Sequence, residues 1–298
     1  MQRGWDGVRI MRALLVALSL AVLGGCSLLR FGYGQLDHYA AWQADAYFDL
    51  DADQKQEFNK RFDRLHEWHR HEQLPDYAAF LNAIRGRFQN GLTREDVLWV
   101  MEGVKARYRN LINHSAHDMA AMLLAVTPAQ LETLRRKWDR DNRRFAREYH
   151  LGDSAEEQRE ARLRRLLSRI SDWTGHLGHE QEQKIAAIAA DATLFHKLRY
   201  EDRVRRQREF LQLMEQRGDR APFGETLRRW LLNWEEGRDP EYARRSDEWT
   251  RAQADLYMQI ARMLTPQQRA HVERRLQKYM DDFTRLAERP SAQADAGR

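Results

Sequence analysis

The amino-acid sequence predicts an all-α protein, an elongated multi-helix bundle or an irregular array of long amphipathic helices, on three grounds. Charged residues reach 32% and hydrophobic ones 42%, while the 298 residues include only 16 Gly and 6 Pro, too few turn formers for a sheet protein. Apolar side chains recur at three-and-four spacing over long stretches, which gathers them on one face of a helix. Five segments carry an aliphatic residue, a capping position and, three positions after the cap, a polar acceptor, the pattern of a helix start.

Taken in order, residues 26–35 read as a tether, because Gly32-Tyr33-Gly34 is a poor nucleus for regular structure. A helical body then spans 36–288. Leu36 to Phe48 forms its first helix, with Leu36, Tyr39, Ala40 and Tyr47 at helical spacing and Trp42 on an adjoining flank. The five starts follow: Leu50-Asp51-Ala52-Asp53-Gln54, Leu92-Thr93-Arg94-Glu95-Asp96, Val126-Thr127-Pro128-Ala129-Gln130, Leu177-Gly178-His179-Glu180-Gln181 and Leu264-Thr265-Pro266-Gln267-Gln268. Thr127 and Thr265 can accept from a first-turn amide, Gln130 and Gln268 can reach back as capping boxes, and Pro128 and Pro266 stand where no amide is needed.

The helices behind these starts are striped. Val97, Met101, Val104, Tyr108 and Leu111 make one stripe, Leu131, Leu134, Trp138 and Phe145 a second, and Val272, Leu276, Tyr279, Phe283 and Leu286 a third. A short helix carrying Tyr77, Phe80, Leu81, Ile84 and Phe88 follows Pro75, another holds Leu163, Leu166, Leu167, Ile170 and Trp173, and Ile185, Ile188, Ala192 and Phe195 begin a long charged one. Ala221-Pro222-Phe223-Gly224 and Gly237-Arg238-Asp239-Pro240 punctuate the final third and mark a possible subdivision near 218–240, with a short helix around Leu227 to Trp234 and two long helices closing the body. The starts recur at uneven intervals, which argues against a strict solenoid. Residues 289–298 carry no stripe and read as a disordered tail.

The amino terminus carries an address. Ala13 to Leu23 is apolar but too short to cross a bilayer, which takes about 20 helical residues, so residues 1–25 read as a cleaved secretion signal. Trp5 and Asp6 interrupt the basic leader and point to Met11 as the start of translation. Leu23-Gly24-Gly25-Cys26 resembles a bacterial lipobox, which makes Cys26 the expected lipid-attachment site, its sulfur carrying a diacylglyceryl group and its amino group a further acyl chain. Two or more buried chains anchor stably where one binds only marginally. Ser27 behind the cysteine resembles the sorting signal for the outer membrane, with the body facing the periplasm.

The formal net charge is +5, and Arg3, Arg9, Arg12 and Asp6 fall within the leader, so the remainder is closer still to balance. With an export signal in front of it, this small excess argues against nucleic acid as a partner. The single cysteine leaves no disulfide to staple the fold, so stability must come from helix packing.

Candidate chemistry is sparse. His66 and His69 with His71 nearby, His114 and His117 beside Asp118, and His176 and His179 are close pairs, and imidazoles three apart on a helix could chelate a divalent metal. His66-Glu67-Trp68-His69 lacks the four-residue step of the zinc-protease signature, and no third ligand is identified. No catalytic elbow or phosphate loop is present, so no catalytic, cofactor-binding or metal residue is assigned. The clusters Arg135-Arg136-Lys137, Arg143-Arg144, Arg162 with Arg164-Arg165, and Arg203 with Arg205-Arg206 could meet polyanions, or alternate with acids as a solvated face. Tryptophans 42, 68, 99, 138, 173, 230, 234 and 249 fall about one per helix, as core anchors do. Trp230 and Trp234, one turn apart, are the exception, suited also to a membrane interface or a client.

Tyr33-Gly34-Gln35-Leu36-Asp37 with Trp42, Tyr47-Phe48-Asp49-Leu50, the run Trp68-His69-Arg70-His71-Glu72-Gln73-Leu74-Pro75-Asp76-Tyr77, and Val126-Thr127-Pro128-Ala129-Gln130 resemble a group of uncharacterised proteobacterial lipoproteins over most of the exported chain. The resemblance implies location and helical fold, with no catalytic residues. The Leu-Thr-Pro-x-Gln form of residues 264–268 is similar to the repeated motif of Spy-like periplasmic chaperones, and no functional residue is carried over from them. The expectation is a non-enzymatic outer-membrane lipoprotein whose body binds an envelope protein partner or client as an assembly factor or holdase. The alternatives are a metal-dependent hydrolase built on the histidine pairs and a binder of polyanions or lipopolysaccharide built on the arginines.

Overall fold

A computed structural model describes residues 27–190, 194–218 and 220–288. Residues 1–25, the proposed lipid-attachment residue Cys26, Ala192 and the tail 289–298 lie outside the described residues. The fold is all-α, and among the described residues there is no strand. The helices are α1 (Ser27–Gly34), α2 (Leu36–Phe48), α3 (Ala52–Trp68), α4 (Leu74–Gln89), α5 (Arg94–Leu124), α6 (Pro128–Glu148), α7 (Ala155–Thr174), α8 (His179–Ala190), α9 (His196–Glu215), α10 (Arg220–Leu232), α11 (Pro240–Met263) and α12 (Pro266–Ala287).

Local capping explains where half of these begin. Asp51, Thr93, Thr127 and Thr265 each accept from the amide three residues on, and the residue at that position reaches back to the cap amide. Ser154 with Glu157 caps α7 in the same way. Pro75 does not break the chain as its position suggests. One turn of π-helix (His69–Gln73) joins α3 to α4, the Leu74 amide donating to the His69 carbonyl, and Pro75 follows in the first turn of α4. Pro222 falls in the first turn of α10, where its missing amide has no intrahelical acceptor, so α10 starts earlier than the sequence suggests.

The expected irregular tether is a helix instead. Within α1, Arg30 pairs with the buried Asp282 of α12 at 3.1 Å, and the Tyr33 hydroxyl lies 2.9 Å from His69 Nδ1. Docking supplies what a glycine-containing octapeptide lacks on its own, because an isolated helix this short is unstable in water.

The helix starts come together in pairs, and the pairing organises the fold. Gln54 and Gln130 face each other: each Nε2 donates to the other's Oε1, at 3.2 and 2.5 Å, and to a carbonyl of the other's entry loop, Ala125 and Asp49 respectively. Each Oε1 also accepts from its own cap amide. Both amides therefore use two donors and two acceptor sites, the full capacity of the group. Gln181 and Gln268 repeat this bond for bond, with 2.8 Å between the amides and with Met263 and His176 as the carbonyl acceptors. The surrounding helices correspond as well. In the first half α2 packs on α3 and α6, and α3 on α5; in the second α7 packs on α8 and α12, and α8 on α11. Eight of the twelve helices thus form two similar four-helix units, (α2, α3, α5, α6) and (α7, α8, α11, α12), which meet through α11 on α5 and through α12 on the intervening α4.

Candidate functional site

The three stripes that read as core in α4, α5 and α12 converge, together with α7 and α11, on a cavity of about 760 Å³. Its walls include Leu81 and Ile84 of α4, Val100 and Val104 of α5, and Val272 and Leu276 of α12. Ile170 and Trp173 of α7 and Tyr257 and Ile260 of α11 close the far side. Val104 and Trp173 are exposed because they border open space rather than packed side chains. The volume lies in the range of ligand pockets, about 300 to 1,000 Å³.

Two arginines are the only charged residues in this lining. Arg107 pairs with Asp76 at 2.9 Å and lies over the Phe80 ring at 3.7 Å. Phe80 is held from its other side by Gly103, where any Cβ would collide with the ring. Arg169 is exposed, and among the described residues it has no ion pair or hydrogen bond. A single unpaired cation stands beside an otherwise apolar cavity.

The first unit has a smaller cavity, about 440 Å³, between α2, α3, α5 and α9. Phe58, Phe62, Met119, Met122 and Phe210 give it an apolar wall. Its rim charges are spent on one another: Asp118 accepts from Arg61 at 2.5 Å and from Arg64 at 3.1 Å.

The histidine pairs have structural surroundings. His66 is buried beneath the Tyr33 ring, 4.6 Å between centroids, and His69 Nδ1 is hydrogen-bonded to the Tyr33 hydroxyl at 2.9 Å. Burial, reinforced by the neighbouring His66, lowers the His69 pKa to about 4, and burial pushes the Tyr33 hydroxyl up to about 12, so both are neutral at pH 7. His71 is turned to Glu67 at 3.3 Å. His114 stacks on Trp68 at 3.7 Å, while Asp118, next to His117 in sequence, is taken by arginines. His176 accepts from Gln268 through its carbonyl, and His179 bonds Gln183. Among the described residues no three His, Cys, Asp or Glu converge as a metal site.

The arginine clusters divide. Arg205 and Arg206 are held by Asp202 and Glu209, Arg203 by Asn142, Arg162 by the Ala189 carbonyl, Arg164 by Glu160 and Arg165 by the Glu148 carbonyl. Arg135 meets Glu132 and Glu215, Arg136 donates to Thr133, and Lys137 meets Asp141. Arg143 and Arg144 are exposed with no carboxylate in reach among the described residues. Trp230 and Trp234 pack inward, on Phe210 and Tyr108. Trp42, by contrast, is no core anchor: it is exposed. Sequence reasoning missed Arg169 and the cavity. The only available signal was the excess of apolar stripes over the partners needed to bury them.

Fold and cavity define an all-α protein of two similar four-helix units. Residues 46–243 match a family of unknown function, DUF6279, and the chain belongs to that family. The matched segment takes in Gln54, Gln130 and Gln181 and ends before Gln268. No curated protein and no solved structure matches the chain.

Proposed function

We propose that this protein is a non-enzymatic lipoprotein, anchored through Cys26 in the outer membrane with its body in the periplasm, and that the body holds an apolar segment of an envelope protein partner or client. The observation that carries the reading is the cavity of about 760 Å³ in which three amphipathic stripes meet without filling the space between them. An open apolar pocket of this size leaves large side chains facing water, and such a surface is suited to receive an apolar guest. The lipid anchor rests on Leu23-Gly24-Gly25-Cys26 and the apolar run before it.

The test is suppression of aggregation of a chemically unfolded model client, followed by light scattering, with Val104→Trp to fill the cavity from its exposed edge. Loss of most of the suppression is expected, and equal suppression by the filled variant would overturn the reading. Globomycin should trap the uncleaved precursor; unchanged processing would remove the anchor.

One observation favours a second reading. Arg169 suits an acylated anion, such as a lipopolysaccharide or phospholipid, with its chain in the cavity and its acidic head at the guanidinium. Arg169→Glu should abolish binding of such a lipid and leave client protection intact. The metal-dependent hydrolase gains no support from the placement of His66, His69 and His71.

A further inference from the structure

The large apolar side chains left exposed among the described residues fall into two groups. Val104 and Trp173 border the cavity. The other three, Phe31 (67% exposed), Tyr39 (55%) and Trp42 (61%), all belong to the first two helices. Tyr39 and Trp42, three residues apart, share one side of α2, and Phe31 stands exposed on α1, which Gln35 separates from α2. Gln35 and His38 are exposed beside these rings, and His38 Nδ1 meets the Asp37 carboxylate at 3.0 Å, so one acid stands at the edge of the aromatic face.

The inner sides of α1 and α2 are already occupied. Arg30 and Tyr33 dock α1 on α12 and on the π-turn, Ala44 and Phe48 of α2 wall the smaller cavity, and Tyr47 donates to Asp141 of α6 at 2.8 Å. α2 thus carries aromatic side chains on both sides, Tyr47 and Phe48 inward and Tyr39 and Trp42 outward. Tyr39 and Trp42 make ring contact at 5.8 Å, and Gln43 donates to the Tyr39 hydroxyl at 2.9 Å. Amphipathic rings of this kind, with a polar handle on an apolar body, favour the headgroup region of a bilayer.

We propose that the Phe31, Tyr39 and Trp42 face lies on a lipid surface and holds the body against the membrane in one fixed orientation. What selects lipid over a protein partner is its place in the chain. The exposed rings begin five residues after Cys26, so attachment at residue 26 keeps this face near the bilayer. The inference rests on membrane attachment at that point and adds a second contact, so the anchor is a clasp rather than a leash: two signals, a lipid chain and an interfacial helix, together fix a body that one would leave free to swing. It also makes the cavity open in a set direction relative to the membrane.

The test uses the full chain in vesicles of phosphatidylethanolamine and phosphatidylglycerol, with and without bromine on the acyl chains. The emission of Trp42 is taken as the difference between the native chain and Trp42→Phe, and Trp173→Phe supplies the same difference for an exposed tryptophan outside this face. With its ring about 5–10 Å into the headgroup and acyl boundary, Trp42 should lose roughly half its emission in brominated vesicles, and Trp173 none. Protein that floats with the vesicles while Trp42 is unquenched overturns the clasp and leaves the anchor standing. Protein that fails to float overturns both. Equal quenching of Trp42 and Trp173 would also sink the proposal, because it would mean a body without fixed orientation.

Discussion

The two units use one device and finish it differently. In the first, Asp51 and Thr127 cap their helices with side chains and both glutamines of the couple are buried. In the second, Gly178 stands where a capping side chain would be, and Gln181 is only half-buried. The first unit has a smaller cavity whose rim charges are paired; the larger cavity, beside Arg169, opens where α7, α11 and α12 of the second unit meet α4 and α5. The same hydrogen-bonded junction thus stands in a unit with a smaller cavity of its own and in one that shares a larger cavity with its neighbour. The difference lies in the helices around the couple, not in the couple itself.

The sharpest way to break this comparison is to charge each junction in turn. Gln130→Glu replaces a donor pair with a carboxylate aimed at the Asp49 carbonyl and the Gln54 Oε1, and should cost about 3 kcal/mol or more. Gln181→Glu, half in water, should cost about 1–2 kcal/mol. Urea unfolding midpoints measure both, and equal losses would mean that the two junctions are equivalent in energy.

Next comes the clamp on α1. Arg30→Ala leaves Asp282, with 2% of its side chain exposed, without its partner, and breaking a buried pair costs about 3–5 kcal/mol, the lower end applying because Arg30 is partly in water. Protease nicking within residues 27–35 should rise in that variant if α1 is held by docking, and stay unchanged if it is not.

Gly103→Ala is expected to cost about 1–3 kcal/mol, because the new methyl must move the Phe80 ring off its place between α4 and α5. A thermal melt reads it, and an unchanged melting temperature would show that Phe80 has room to shift into the cavity.

The smallest effect is on pH dependence. Burial lowers the pKa of His69 and of His196 to about 4, aided by His66 in the first case and by Arg199, Arg165 and Arg162 in the second. The unfolded chain, with ordinary imidazoles near 6.5, binds more protons than the folded one between these values. Stability from these groups is therefore whole above about pH 6.5 and lost as the pH falls toward 4. Melting temperature should drop between pH 7 and 4.5. His196→Phe, which keeps the ring beside Tyr149, should make the drop shallower.

Much of this was legible beforehand for a simple reason: a cap is a local event. Thr93 with Asp96, or Thr265 with Gln268, closes its hydrogen bonds within three residues, so position along the chain is enough to find it. Trp42 shows the opposite case. One tryptophan to a helix reads as a core anchor, yet the helix that carries Trp42 presents that side to the outside. An apolar stripe states which face will avoid water and is silent about what will cover it.

By itself, then, the sequence determined the helices, most of their starts, and the apolar faces, because these follow from bonds and periodicities spanning a turn or two. Only the tertiary structure decided that Gln54 would meet Gln130, 76 residues away, and Gln181 meet Gln268, 87 away. The same holds for the cavity beside Arg169 and the outward rings of α1 and α2. Those depend on which surfaces meet and which are left over, and that is a sum over the whole body rather than a property of any one segment.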